Sequence, residues 1–144
     1  MVMRRAVMGF LAGFVAVPVF HQLAALALHW LGLLPPPWDL APTPPFDVPA
    51  LLSASFWGGL WGVLLAFVLA RTGGGTGYWL TALLFGAVVL TLLAWLVVLP
   101  AKGIPLAAAL AWPRVLIGPV VNGAWGLGAA LLLRLERRHA HVPA

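Results

Sequence analysis

Three polar side chains lie within long apolar stretches of the sequence and are its candidates for chemistry. His21 and Gln22 lie in the first stretch, and Asn122 lies in the last. Inside a membrane such groups are costly and commonly mark binding sites or pathways for solutes and protons. Counted at about 1.5 Å per residue, His21 in the first helix and Asn122 in the last each lie about 10 Å below the outer surface of the membrane. We therefore predict a polar binding site where His21 or Gln22 hydrogen-bonds Asn122.

Two interpretations of this polar site stay open on the sequence alone. As a structural bond between helices, a polar pair contributes about 1 kcal/mol. As a functional group, a histidine titrates near neutral pH and would bind a solute or carry a proton. No carboxylate accompanies His21 within an apolar stretch. Since proton relays in membranes are commonly built from acidic side chains as well, a relay is disfavoured.

The sequence offers no recognisable catalytic or metal-binding arrangement. No serine, histidine and acidic residue fall at one depth, and the sole glutamate, Glu136, lies in an arginine-rich tail. The absence of cysteine excludes thiolate metal sites and dithiol redox chemistry. His21 and His29 are eight residues apart on one predicted helix, too distant to share an ion directly, and His139 and His141 lie in a tail on the opposite side. The glycine-rich residues 72–77 lack the Gly-Lys-Ser/Thr ending of a phosphate-binding loop. The prediction is a protein that is not an enzyme and holds no metal or cofactor.

The composition indicates that membrane-spanning helices position these residues. Of 144 residues, 63% are hydrophobic and 8% are charged, whereas soluble domains are about 25% charged. A spanning helix needs about 20 mostly apolar residues. The predicted fold is an all-α membrane protein, a single domain over residues 1–144 with a proline-rich outer loop at 31–49 that lies on the membrane surface or packs over the helices. Its four transmembrane helices are predicted at residues 6–28, 50–70, 78–99 and 115–133.

Basic residues near the helix ends predict the orientation of the chain. Cytoplasmic segments carry an excess of Lys and Arg, and six arginines lie on the side of both termini against two basic residues on the other side. Both termini are therefore predicted to be cytoplasmic, in a bacterial-type inner membrane. The net charge of +5 is spread over helix ends rather than one patch, which disfavours a nucleic-acid partner. The inner set is Arg4, Arg5, Arg71, Arg134, Arg137 and Arg138, and the outer set is Lys102 and Arg114.

Small residues four positions apart form a stripe on each predicted helix. In lipid, such stripes let two backbones approach closely and mark helix contacts. They serve either packing within the four-helix bundle or a face for another membrane protein. The predicted helix-packing residues are Gly9, Gly13, Gly58, Gly62, Ala66, Gly118, Gly126 and Ala130.

The second and fourth helices share a local pattern 64 residues apart. The run GLWG at residues 59–62 recurs as GAWG at residues 123–126. A duplication would make two tandem helix hairpins of the same orientation, and repeats of that kind occur in some transporters. The first and third helices align poorly, so convergent use of Gly and Trp for close packing is the alternative.

Several of these residues in combination resemble a known group of proteins. They are His21-Gln22, the proline-rich run that ends at Pro49, the segment from Phe56 to Gly62 and the segment from Asn122 to Gly126. The chain resembles, over nearly its whole length, a family of small uncharacterised bacterial four-helix inner-membrane proteins. The resemblance implies a bacterial membrane setting and brings no known activity.

Packing motifs without catalytic chemistry predict an accessory or scaffold subunit. The expected partners are the lipid bilayer and either other membrane proteins or a second copy of the chain. The contact would use the glycine faces or the loop at 31–49. The alternative is a small transporter or channel for a solute or ion, with a site in the outer half of the bundle lined by His21, Gln22 and Asn122.

Overall fold

Helices account for 76% of the chain in the computed structural model, which describes residues 1–139. Four of the described helices are long and apolar enough to cross a membrane, so the chain is an all-α protein of the multi-pass type. A short helix, α4, lies between the third and fourth, and a turn at Arg114–Leu116 leads into the last. The helices are α1 (Val2–Trp30), α2 (Ala50–Leu69), α3 (Thr76–Ala101), α4 (Leu106–Leu110) and α5 (Ile117–His139).

Three of the long helices extend further than their apolar stretches predicted. α1 begins at Val2 instead of residue 6, and α5 continues to His139 instead of residue 133. Arginines near the ends of these helices stay helical because their long side chains reach the polar interface from within the helix. α3 passes through Pro100 to Ala101. Pro100, which has no N–H, lies two residues after a π-helical turn at Ala94–Val98, where the α-helical ladder is already interrupted.

The proline-rich loop forms a small antiparallel hairpin over the end of the bundle. Its strands are β1 (Pro42–Thr43) and β2 (Val48–Pro49), and Thr43 pairs with Val48. The Asp39 carbonyl accepts from Leu51 N–H at 2.9 Å, which satisfies one of the free donors at the start of α2. The loop therefore packs over the helices, one of the two predicted placements.

α1 and α2 pack with their backbones in contact. A Cβ atom added to Gly9 would lie 2.7 Å from the Gly62 carbonyl oxygen, and one added to Gly13 would collide with the Gly58 carbonyl. Ala66, which is fully buried, continues this interface toward the arginine-rich end. Only glycine permits so close an approach, and close packing is the main attraction between helices in lipid.

α3 and α5 form a second hairpin through the same kind of contact. A Cβ on Gly86 would collide with the Asn122 carbonyl, and a Cβ on Gly126 would collide with the Ala82 carbonyl. One helical turn further along α5, toward Arg134, the Tyr78 hydroxyl donates to the Ala130 carbonyl at 2.8 Å. The side chain of Tyr78 thus satisfies its polar group inside an otherwise apolar interface.

The two hairpins use equivalent contacts. Gly62 on α2 meets Gly9 and Gly13 on α1, and Gly126 on α5 meets Ala82 and Gly86 on α3. Each pair on the first helix of a hairpin is spaced by four residues. The shared pattern of α2 and α5 therefore extends to the helices they contact, although the sequences of α1 and α3 align poorly.

The bundle is closed on one side and open on the other. α1 and α5 pack together and join the hairpins, with Phe20 of α1 lying against Gly128 of α5. α2 packs against α3 along Thr76–Leu84, the part of α3 nearest the loop that connects them. Beyond that segment the two helices enclose a cleft instead of a contact. The opening lies toward the end of the bundle that carries the proline-rich loop.

Candidate functional site

The open side of the bundle holds an apolar cleft of about 220 Å³ between α2 and α3. Its walls are aromatic on α2 and aliphatic on α3, and its floor is made by α1 and α5. Two of the three predicted site residues, His21 and Asn122, line it. The principal lining side chains are Trp57 and Trp61 on α2, Leu90, Ala94 and Val98 on α3, Val17 and His21 on α1, and Asn122 and Trp125 on α5.

His21 is placed in the cleft by a π-helical turn at Val17–His21. Pro18 within this turn has no N–H to donate, so the regular α-helical ladder is interrupted there. Such turns are rare and occur frequently at functional sites. The Nδ1 atom of His21 is buried without a hydrogen-bond partner among the described residues. A buried polar atom left unpaired costs about 1 to 3 kcal/mol, so a bound group that pairs with it would recover that energy.

Asn122 makes its hydrogen bond to α3 rather than to α1. Its Nδ2 donates to Thr91 Oγ1 at 3.1 Å, and Thr91 is only 2% exposed. The predicted bond to His21 or Gln22 is not formed, because the contact between Gly86 and the Asn122 carbonyl turns this face of α5 toward α3. His21 and Asn122 therefore share a cleft without bonding each other.

Gln22 takes part in a different contact, which anchors the proline-rich loop to α1. Its Oε1 accepts from the Trp38 backbone N–H at 3.2 Å, and the Trp38 indole N–H donates to the Pro18 carbonyl at 2.8 Å. Gln22 lines a second cavity of about 320 Å³, between the loop and the helices. No sequence signal marks Trp38 as an anchor, since nothing in its spacing indicates a partner 20 residues away.

Trp125 closes the cleft at its end nearest the arginine-rich end of the bundle. It is 2% exposed, and its indole N–H donates to the Gly13 carbonyl at 2.9 Å. Beneath it the bundle is filled by Leu65, Leu69 and Ala129, none of which is exposed. The cleft is therefore blind toward the arginine-rich end and open toward the lipid-facing side.

Apart from indole N–H groups, the polar side chains that line this cleft are His21 and Asn122. Among the side chains that the structure describes, no three of His, Cys, Asp or Glu lie close enough together to hold a metal ion. His29, the other histidine of α1, lies with Nδ1 2.9 Å from the Leu34 carbonyl at the helix end. The arrangement suits the binding of an apolar group that carries one polar atom.

The predicted helix-packing residues all lie at contacts within the chain. Gly118 lies against Thr91, where an added Cβ would come within 2.6 Å of its methyl carbon. Gly126 and Ala130 also face α3, and the remaining five residues form the contact between α1 and α2. These stripes are therefore occupied by the bundle itself, and a partner would have to contact another surface.

Comparison with known proteins returned no relative. No protein-family model matches the chain, and neither a curated protein nor a solved structure is similar to it. The resemblance to a family of small bacterial membrane proteins stays a prediction.

Proposed function

We propose that this chain is a non-enzymatic accessory or scaffold subunit of the bacterial inner membrane, which packs against another membrane protein through the cleft between α2 and α3. The observation that carries the proposal is the open side of the bundle. The glycine stripes are occupied within the chain, whereas this side presents an apolar cleft with the exposed Trp57 in its wall. The occupant we propose is a transmembrane helix of the partner that places an apolar side chain in the cleft.

Aromatic side chains at the mouth of the cleft favour a contact with another protein there. Trp57, which lines the cleft, is 57% exposed, and Trp61, one helical turn further along α2, lines it as well and is half-buried. Aromatic residues are enriched in protein interfaces because they offer a large contact area at low entropic cost. The polar partner for His21 Nδ1 would come from the same helix, for example a serine or threonine hydroxyl.

Site-directed photo-cross-linking tests this function. A photo-reactive residue at position 57 reports on the cleft, and one at Val19, an exposed α1 residue two positions from His21, is the depth-matched control. The expected result is a discrete adduct with one membrane protein from position 57 but not from position 19. Ala94→Phe, which fills the cleft from α3, should abolish that adduct, and the same protein should copurify under mild detergent. A chain that stays a solitary monomer, or equal labelling at both positions, would count against the proposal.

A small transporter is the second candidate, because His21 and Asn122 place polar atoms in the same cleft. A pathway also needs a route to the other side, and the packed layer of Trp125, Leu65 and Leu69 opposes one. Solute flux in proteoliposomes decides between the two. Flux that is lost in both His21→Ala and Asn122→Ala would replace the accessory role with transport.

We also propose that both termini lie in the cytoplasm. The described basic side chains near the termini include Arg4 and Arg5 on α1 and Arg134 and Arg137 on α5, and such an excess of arginine is typical of cytoplasmic ends. Compartment reporters fused to each terminus and inserted in the loop at residues 31–49 test the topology. Termini that report opposite compartments, or a periplasmic pair, would overturn it.

A further inference from the structure

A third cavity, at the arginine-rich end of the bundle, combines positive charge with an apolar floor. It lies between α1, α2 and α5 and has a volume of about 300 Å³. Arg4, Arg5 and Arg137 line it together with Met8 and Leu133. Glu136 lines it too and forms an ion pair with Arg4. Three guanidinium groups against one carboxylate leave this basic pocket with a net positive charge.

The arginines of the basic pocket are suited to a phosphate group. Guanidinium groups present planar pairs of donors that match phosphate oxygens. Arg5 is half-buried, and its guanidinium carbon lies 5.5 Å from the centre of the Phe67 ring, which holds the side chain beside the pocket. Arg137 lines the pocket from α5. An anion between Arg5 and Arg137 would face two positive charges from two helices, while Glu136 is engaged by Arg4.

An apolar groove continues from the basic pocket along α1 and α5. The groove has a volume of about 190 Å³ and shares Met8, Leu133 and Glu136 with the pocket. Leu11 and Val15 form its α1 wall, and both are exposed on the surface of the bundle. From Arg5 to Val15 the helix rises about 15 Å, which is half of the roughly 30 Å hydrocarbon core of a bilayer. The basic pocket and the groove together therefore span the depth of about one membrane leaflet.

We propose that the basic pocket and its groove bind one anionic phospholipid. The headgroup phosphate lies between Arg5 and Arg137, and one acyl chain lies along the groove beside Leu11 and Val15. Basic pockets between transmembrane helices bind anionic lipid headgroups in this way. The inference rests on the chain spanning a bilayer and is independent of what occupies the cleft between α2 and α3.

Lipid binding to the purified full chain tests the site, with phosphatidylglycerol and phosphatidylcholine as probes and native mass spectrometry as the readout. The expected result is one phosphatidylglycerol retained per chain and weaker retention of phosphatidylcholine. The double variant Arg5→Gln/Arg137→Gln should weaken phosphatidylglycerol binding about twenty-five-fold, since each arginine near an anionic lipid contributes about a factor of five. Equal retention of both lipids by the wild type would overturn the proposal.

Arg71→Gln is the matched control. Arg71 is an exposed arginine at the same end of the bundle, outside the basic pocket, and it donates to the Phe67 carbonyl of its own helix at 3.4 Å. Its loss should leave lipid binding unchanged. Arg5→Lys/Arg137→Lys keeps both charges but loses the paired donors, so its affinity should lie between those of the wild type and the glutamine double variant, which separates a binding defect from a folding defect. If Arg71→Gln weakens binding as much as the double variant, diffuse attraction of the bilayer replaces a defined site.

A measurement with inorganic phosphate as a soluble probe distinguishes binding of a lipid from binding of a free phosphate. Val15→Trp fills the groove without touching the arginines, so it should weaken phosphatidylglycerol binding and leave binding of inorganic phosphate unaffected. Inorganic phosphate that binds as tightly as phosphatidylglycerol, together with no effect of Val15→Trp, would mean an anion site without a lipid and would overturn the proposal.

Discussion

Trp125 on α5 and Gly13 on α1, 112 residues apart, are joined by a hydrogen bond of 2.9 Å from the indole N–H to the backbone carbonyl. The bond lies where the two helix hairpins meet. It is possible because Gly58 leaves room for the indole, an added Cβ there lying 3.2 Å from Trp125 Nε1. One glycine contact within the first hairpin thus makes space for the bond that links it to the second.

Removing this bond should destabilise the bundle by a measurable amount. Trp125→Phe keeps most of the ring but leaves the Gly13 carbonyl unpaired, so the free energy of unfolding should fall by about 1 kcal/mol. Denaturant titration of the protein in detergent measures it. Trp61→Phe is the control at the equivalent position of the repeat, since the Trp61 indole has no hydrogen bond in the described part of the chain. Equal losses in both variants would mean that ring size, not the bond, sets the effect.

The contact between α1 and α2 should tolerate no side chain at Gly62. The Cβ atom of a leucine at this position would collide with the Gly9 carbonyl and would lie 2.7 Å from Gly13 Cα. The helices would therefore have to separate, at a cost of about 3 kcal/mol or more. Size-exclusion chromatography of the detergent-solubilised protein should show aggregation. Gly77→Leu is the control, because an added Cβ at Gly77 meets nothing within 4 Å. A monodisperse Gly62→Leu protein would contradict this packing.

The bond between Asn122 and Thr91 predicts energetic coupling. In a double-mutant cycle with Asn122→Leu and Thr91→Val, the coupling should be about 0.6 kcal/mol, the average for interhelical hydrogen bonds in membrane proteins. Unfolding free energies of the four proteins give the value. The same cycle with Asn122→Leu and His21→Leu should be additive, since those two side chains make no mutual bond. Coupling to His21 instead of Thr91 would mean that Asn122 bonds His21, as the sequence predicts.

His21→Leu should separate stability from binding. Replacing the unpaired Nδ1 with an apolar group removes a buried unsatisfied atom, so the unfolding free energy should stay constant or rise by about 1 kcal/mol. Partner cross-linking from position 57 should nevertheless fall, because the partner loses its hydrogen bond. Thermal unfolding and adduct yield on the same preparation measure both effects. A destabilised protein would mean that His21 already has a structural partner.

The sequence by itself determined that lipid surrounds much of the chain and where the long helices lie. Four apolar stretches of spanning length can be read along the chain because each helix must satisfy its own backbone in lipid, and stripes such as Gly58 and Gly62 mark close contacts. Only the tertiary structure decided what those elements meet. Asn122 faces Thr91, and Gln22 holds Trp38, because helix rotation depends on contacts between residues far apart in the chain. The cleft at His21 exists because α2 and α3 separate beyond Leu84, and the spacing of residues along one helix carries no information about the distance to another.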